Sequence, residues 1–175
     1  PLGESGAGCW LRLARSWLCG RVAMRLLARW QRRSGGAGHR LDGTAATSSA
    51  GDGERIGKLC SALANIARLE DKEFAYLVWG IDNATHDIIG TTVKPTQIKK
   101  GNEELEAWLL RLLSPRVHFR FIEFQVDNQP IAMMEISRAA NQPVQFQGIE
   151  YVRIGSYKKK LKDYPEKTRE LWRLF

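Results

Sequence analysis

The residues best suited to chemistry lie in one stretch near the end of the chain, GIEYVRIGSYKKKL at positions 148–161. Its alternating apolar residues predict a strand over Ile149–Ile154, which the pair Gly155 and Ser156 interrupts. Three consecutive lysines follow, at Lys158–Lys160. A strand that stops at glycine and gives way to cations favours a basic loop at a sheet edge. Such a loop is suited to contact phosphate groups.

The residues of this stretch have different candidate roles. Gly155 lets the backbone approach a ligand closely, and Ser156 with the amides after it can hold a phosphate oxygen. Tyr151 and Tyr157 are available for base stacking. The predicted nucleic-acid contacts are Arg153, Ser156, Tyr157, Lys158, Lys159, Lys160 and Lys162, and the predicted loop glycines are Gly80, Gly148 and Gly155. The alternative for such a run is a solvated, lysine-rich turn without a ligand.

Composition limits the class of protein. The chain has 175 residues, of which 43% are hydrophobic, and this length suits one well-packed domain. No apolar run approaches the roughly 20 residues that cross a bilayer, so no membrane partner is predicted. The three cysteines show no paired spacing, and this indicates neither a zinc site nor a disulfide framework. A reducing, cytoplasmic location fits best.

The first fifty residues differ in composition from the rest of the chain. They contain eight arginines and two acidic residues, but no Lys, Asn, Ile, Phe or Tyr. Most of the net charge of +8 therefore lies in this segment. A non-native segment, a basic arm and a transit peptide all remain open. We predict an Arg-rich segment with a Gly/Ser linker over 1–50 and a folded domain over 51–175.

The folded part is predicted to be α+β, a single domain with a mixed sheet flanked by helices. Helices are expected from an Asp52 cap to Ala67, over Gly101–Ser114 with Asn102 as the cap, and over Glu166–Phe175. Strands are expected over Phe74–Asp82, Val117–Val126, Ile131–Ile136 and Ile149–Ile154. The last helix is expected to direct Leu171, Trp172 and Phe175 inward.

Asp82 is a candidate functional residue, because a carboxylate just past a buried strand is held on a rigid frame. The alternative is an Asx-type turn that folds the chain back. Asn65, near the end of the first helix, is expected to make a helix-end hydrogen bond rather than a ligand contact. His86 and His118 have no Cys, His or carboxylate at a metal-ligand interval, so no metal site is predicted.

Several short motifs occur together in a recognisable order. KLCSALANI at Lys58–Ile66, YLVWGID at Tyr76–Asp82, Ile89-Gly90, Pro143-Val144 and GIEYVRIGS at 148–156 resemble the Schlafen AlbA-like domain family, over residues 51–175. That family is described as a DNA-binding or divergent AAA-type ATP-binding domain. Its bacterial members often stand at the N-terminus of transcriptional regulators and helicase-related proteins.

The resemblance implies a nucleic-acid-binding module, with DNA as the expected partner and RNA as the other candidate. It also implies a bacterial transcriptional-regulator-like protein with an effector domain downstream, and a homo-oligomer is a further expectation. ATP or Mg²⁺ is implied as a cofactor by the family alone. No P-loop motif is present in the sequence.

The alternative functions are a degenerate or incomplete metal-dependent RNA endonuclease and a nucleotide-binding domain. The first follows because some Schlafen relatives cleave RNA with three carboxylates. Asp82 matches the third of these, whereas the opening E-x-x-x-x-E-F-K-type motif that supplies the other two is absent from residues 1–50. Cleavage with one or two divalent ions needs several oxygen ligands. The missing carboxylates therefore favour a chain without nuclease activity, and the question of whether it is an enzyme stays open.

Overall fold

The computed structural model describes residues 50–81, 88–155 and 157–175. Its first element is helix α1, Ala50–Leu69, which packs into the centre of the main core. The predicted apolar face of this helix is confirmed, with buried side chains at Ile56, Leu59, Cys60, Leu63 and Ala67. The predicted N-cap is wrong, because the helix begins at Ala50 and Asp52 lies within its first turn. No proline separates the two residues, so the helix can begin earlier.

The first sheet consists of three antiparallel strands in the order β1-β6-β5. These strands are β1 (Phe74–Trp79), β5 (Phe119–Val126) and β6 (Gln129–Ser137). One face packs into the main core, and the opposite face builds a second cluster around Val78, Phe124 and Met133. The predicted buried strand and hairpin are confirmed. Strand β1 ends earlier than predicted because Gly80, with a φ of +98°, turns the chain.

The second sheet contains four strands in the order β4-β7-β8-β9, and a separate pair joins β2 to β3. Their bounds are β2 (Lys99–Lys100), β3 (Glu103–Glu104), β4 (Leu113–Ser114), β7 (Gln145–Phe146), β8 (Ile149–Ile154) and β9 (Tyr157–Lys160). The α+β class is confirmed. The described strand pairs are all antiparallel where a mixed sheet was predicted, because two-residue connections join four of the consecutive strand pairs.

Helix α2, Leu105–Leu112, begins later than the sequence predicts. Gly101 and Asn102 form the turn between β2 and β3 instead of the first turn of the helix, since Gly101 has a φ of +66°. Asn102 is therefore not the N-cap. Trp108 and Leu109 are buried as predicted, so the apolar face is confirmed although the beginning of the helix is not.

Helix α3, Pro165–Trp172, closes the described chain against the main core. Leu171 is fully buried as predicted, but Trp172 and Phe175 are 50% and 38% exposed. The prediction that all three point inward is wrong: Trp172 lies about 100° around the helix from Leu171, and Phe175 lies beyond the end of the helix at Trp172. The rings of Trp172 and Phe175 pack edge to face, with centroids 6.1 Å apart.

Two polar side chains of α1, Ser61 and Asn65, bind the second sheet where the β7–β8 ladder would otherwise continue. The β7–β8 register makes Val144 and Tyr151 the next opposed residues. Ser61 Oγ donates to Val144 O at 2.7 Å and accepts from Tyr151 N at 3.1 Å. The helix therefore takes the place of direct strand-to-strand hydrogen bonds at this point.

Asn65 completes this junction with both ends of its amide. Its Oδ1 accepts from Val144 N at 2.7 Å, and its Nδ2 donates to Val144 O at 3.0 Å and Tyr151 O at 2.8 Å. The side chain is fully buried. The prediction of a local helix-end hydrogen bond is wrong, because these partners lie about 80 residues further along the chain.

Gly57 lies on the same stripe of α1, one turn before Ser61, and it allows the helix to approach β7 closely. A Cβ at this position would lie 2.1 Å from Cε2 of Phe146. Phe146 is fully buried, and its ring packs directly on the helix at Gly57. Strand β8, which begins beyond this contact, thereby has a fixed position relative to the core.

Candidate nucleic-acid interface

The basic stretch forms a hairpin of strands β8 and β9 rather than a strand followed by a loop. The pairs run from Tyr151–Lys160 to Ile154–Tyr157, and Gly155 in the connection has a φ of +57°. A two-residue connection that begins with glycine closes a tight hairpin. The lysines after it therefore form a further strand of the sheet. The predicted basic loop is therefore corrected to a basic strand. Ser156 lies outside the described residues.

The two faces of β9 carry different side chains. Tyr157 and Lys159 lie on one face, with the Lys159 Nζ 5.8 Å from the centroid of the Tyr157 ring. Lys158 and Lys160 lie on the other face, where Lys158 is half-buried and Lys160 is exposed. The hairpin therefore presents positive charge on both sides of a single strand.

Strand β9 is also the last strand of its sheet. Within residues 50–81, 88–155 and 157–175, no strand pairs with its outer edge. Lysines on an edge strand have a known structural role, since they discourage pairing with another chain. That role accounts for the lysines but not for an adjacent tyrosine that is 71% exposed.

Arg153 and Lys162 border the hairpin in different environments. Arg153 is buried, and its Nε donates to Gly155 O at 3.1 Å, so this side chain supports the turn. Lys162 is exposed, in the single turn of 3₁₀ helix Leu161–Asp163 that fully buried Leu161 anchors. The structure thus exposes Lys159, Lys160 and Lys162, whereas Arg153 is buried at the turn. Direct contact between Arg153 and nucleic acid stays a prediction.

The predicted loop glycines lie at turns of the backbone. Gly148 has a φ of +74° in the β7–β8 connection, and open space surrounds both Gly148 and Gly155. Gly80 ends β1, and its carbonyl accepts from Ile89 N at 3.0 Å and Gly90 N at 3.1 Å. Asp82, the candidate catalytic residue, lies outside the described residues, so its role stays a prediction.

The described residues, which do not include Asp82, show two features that bear on the ATP or Mg²⁺ implied by the resemblance. No group of three His, Cys, Asp or Glu side chains lies close enough to hold a metal ion in the part of the chain that the structure describes. The turns at Gly148 and Gly155 are tight hairpin connections between strands. Nucleotide phosphates are more often bound by a glycine-rich loop that leads into the N-terminus of a helix.

A concave surface at the opposite end of the second sheet was not expected from the sequence. It has a volume of about 630 Å³ and is lined by Ala107, Leu110, Arg111, Leu113, Ser114 and Arg116. Arg111 Nη2 lies 2.9 Å from Glu103 Oε2, and this hydrogen bond raises the pKa of the guanidinium. The spacing of these residues in the sequence does not predict a concave surface, because they come together only through the turn from helix α2 to strand β4.

Comparisons with solved structures and curated proteins carry no argument about function. A crystal structure of the DIP2311 protein from Corynebacterium diphtheriae is similar with a TM-score of 0.46 and 16% identity. The similarity covers 69% of this chain and 19% of that one, so the chain spans about a fifth of that protein. No curated protein matches the chain significantly. None of the described helices has the length and apolar character to cross a membrane.

The family model described as Schlafen, AlbA_2 matches residues 40–162, which is more than half of the chain. The match includes the helix with Ser61 and Asn65 and the whole β8–β9 hairpin. It confirms the resemblance that the short motifs indicate. The chain belongs to the Schlafen AlbA_2 family.

Proposed function

We propose that this domain binds nucleic acid through the basic hairpin, Ile149–Lys160, with DNA as the expected polymer. The observation that carries the proposal is the run of three lysines on an edge strand next to an exposed tyrosine. Family membership supports it, since the Schlafen AlbA_2 family suggests nucleic-acid association.

The geometry favours contact with phosphates rather than with base edges. Lysines on both faces of β9 offer ammonium groups, which act as point charges with three donors each. Such contacts neutralise phosphates and release counterions, so they give affinity that depends on salt and carries no sequence information. Lys162 adds a further exposed cation directly after the strand.

The wider setting belongs to the same proposal. The domain would act in the cytoplasm as one part of a bacterial transcriptional-regulator-like protein, with an effector domain downstream and with a capacity to form homo-oligomers. In that arrangement the hairpin supplies general attachment to nucleic acid. Any choice of sequence would come from other parts of the assembly.

The test is the salt dependence of binding for a variant that lacks the three charges, Lys158→Gln, Lys159→Gln and Lys160→Gln together. Affinity for a short DNA duplex is measured by fluorescence anisotropy at several salt concentrations. We expect binding that is weaker by about a hundredfold at 0.1 M salt, and a slope of log K against log salt that is shallower by about 2 to 3, since each phosphate contact contributes about 0.9.

A matched control removes three exposed lysines outside the hairpin, through Lys72→Gln, Lys94→Gln and Lys99→Gln. Both triple variants lose the same charge, so a general electrostatic effect would weaken them equally. An equal salt slope for the two triple variants would overturn the proposal. So would wild-type affinity in the hairpin variant.

A further inference from the structure

We propose that the basic hairpin prefers single-stranded nucleic acid, because Tyr157 provides a stacking platform for one unpaired base. This inference rests on the proposed function and adds a substrate class to it. Tyr157 is 71% exposed, more than any other large hydrophobic side chain in the described part of the chain. An exposed aromatic side chain needs no ligand to explain it, so the surroundings of the ring must carry the argument.

Those surroundings are cationic. Tyr157 is the first residue of β9, directly after the hairpin connection, and Lys159 follows on the same face. The Lys159 Nζ lies 5.8 Å from the ring centroid, within the range of a cation–π contact. Side chains stand roughly perpendicular to a sheet, so the ring and its cation project together from the tip of the hairpin.

Another exposed aromatic side chain shows the difference. Trp172 is 50% exposed, but its ring packs edge to face against Phe175. Tyr157 has a lysine, not a second aromatic ring, as the neighbour that the structure records. The Trp172–Phe175 pair also has a cation, since the Arg68 guanidinium lies 5.2 Å from the Phe175 centroid, but each ring of the pair is partly covered by the other. Tyr157 combines a neighbouring cation with greater exposure and with no ring contact among the described residues, and a nucleotide offers a flat base and a phosphate to such a pair.

The state of the nucleic acid decides whether this platform can be used. Each base of a single strand has an accessible π-face, and stacking on an aromatic side chain tolerates any sequence. In a duplex the base faces are covered by their neighbours, so the lysines would contact phosphates while the tyrosine stays idle. The hairpin should therefore bind single strands more tightly than duplexes of the same length. Single-stranded DNA and RNA share this chemistry.

The test compares Tyr157→Ala, Tyr157→Phe and the control Trp172→Ala in the full chain. Binding is measured to short oligothymidylate, oligouridylate and duplex DNA, and a 2-aminopurine base in the single strands reports stacking by loss of fluorescence. We expect Tyr157→Ala to weaken single-strand binding about tenfold and abolish the quenching. Its duplex affinity should change less than about twofold, and Tyr157→Phe and Trp172→Ala should resemble the wild type.

Wild-type single-strand affinity and quenching in Tyr157→Ala would overturn this inference, and so would equal loss of affinity for duplex and single strand. If the triple lysine variant still shows its shallower salt slope in that case, the proposed function stands without the preference. If neither variant changes binding, both proposals fail. Preference between the DNA and RNA single strands identifies which polymer the platform accepts better, and absence of preference indicates contact with features that the two share.

Discussion

Two polar regions of this domain meet on the same strand, and they differ in what their polar groups do. At Tyr151, strand β8 is bound by the buried pair Ser61 and Asn65. A few residues further, the same strand pairs with β9, which exposes Tyr157, Lys159 and Lys160. In the first region every polar atom of the two helix side chains is used within the fold, whereas the second leaves charge and an aromatic ring in solvent.

This difference teaches how to interpret the polar residues of the family motifs. Ser61 and Asn65 belong to the motif in α1, yet they replace part of a strand ladder and are inaccessible to a ligand. Burying polar groups is costly unless they are hydrogen-bonded, so these two side chains are essential to the fold rather than to binding. The predictions below separate the two regions on one scale, the free energy of unfolding.

The largest loss of stability is expected for Asn65→Leu. The substitution keeps the approximate volume but leaves the Val144 N–H and the Tyr151 carbonyl without their partner in a dry site. Each such group costs about 1–3 kcal/mol, so urea denaturation should show a drop of about 3 kcal/mol. Asn102→Leu, in an exposed turn, is the control. A drop below about 1 kcal/mol would mean that Val144 and Tyr151 pair directly once Asn65 is gone.

Ser61→Ala should cost less, about 1–2 kcal/mol, because Tyr151 N loses its acceptor while Val144 O keeps its bond from Asn65. Urea denaturation of this variant beside Ser114→Ala, which removes an exposed hydroxyl, measures the difference. Equal stability of the two variants would contradict the role of Ser61 as a surrogate strand partner.

Gly57→Ala should lower stability by about 1 kcal/mol, since overpacking against Phe146 outweighs the gain in helix propensity. Gly53→Ala is the matched control, because its Cβ would lie 3.4 Å from the nearest atom of Trp108 and the variant should be neutral or more stable. Thermal unfolding of both variants checks this. If Gly57→Ala were stabilising, the helix and β7 would be able to separate without cost.

The smallest effect on stability is expected for the triple Gln variant of Lys158, Lys159 and Lys160. Surface substitutions of this kind usually change stability by less than about 0.5 kcal/mol in either direction, so the three together should change it by less than Gly57→Ala does. A second probe is Cys60, since burial raises the pKa of its thiol and keeps it unreactive in the folded protein.

Alkylation of Cys60, followed by mass spectrometry of its peptide, should accelerate in Asn65→Leu and stay at the wild-type rate in the triple variant. Faster labelling in the triple variant would show that the hairpin, like the α1 junction, supports the core. The distinction between a structural region at the α1 junction and a binding region at the hairpin would then be wrong.

Much of the fold could be predicted from the sequence. The periodicity of apolar residues located α1, β1, the β5–β6 hairpin and β8, and it gave the α+β class, because burial of one face imposes a repeat that is visible along the chain. The errors lie at short elements. The two-residue strands β2, β3, β4 and β7 are too short for a visible repeat, and β9 was missed because its YKKK sequence has no apolar alternation.

The candidate site divides in the same way. The sequence by itself determined which residues carry charge, that the lysines follow a strand, and that the motifs belong to one family. Only the tertiary structure decided that Arg153 is buried under the turn, that Tyr157 stands in solvent, and that Asn65 binds Val144 and Tyr151. The physical reason is that hydrogen-bond partners and exposure depend on contacts between residues far apart in the chain, which no local pattern records.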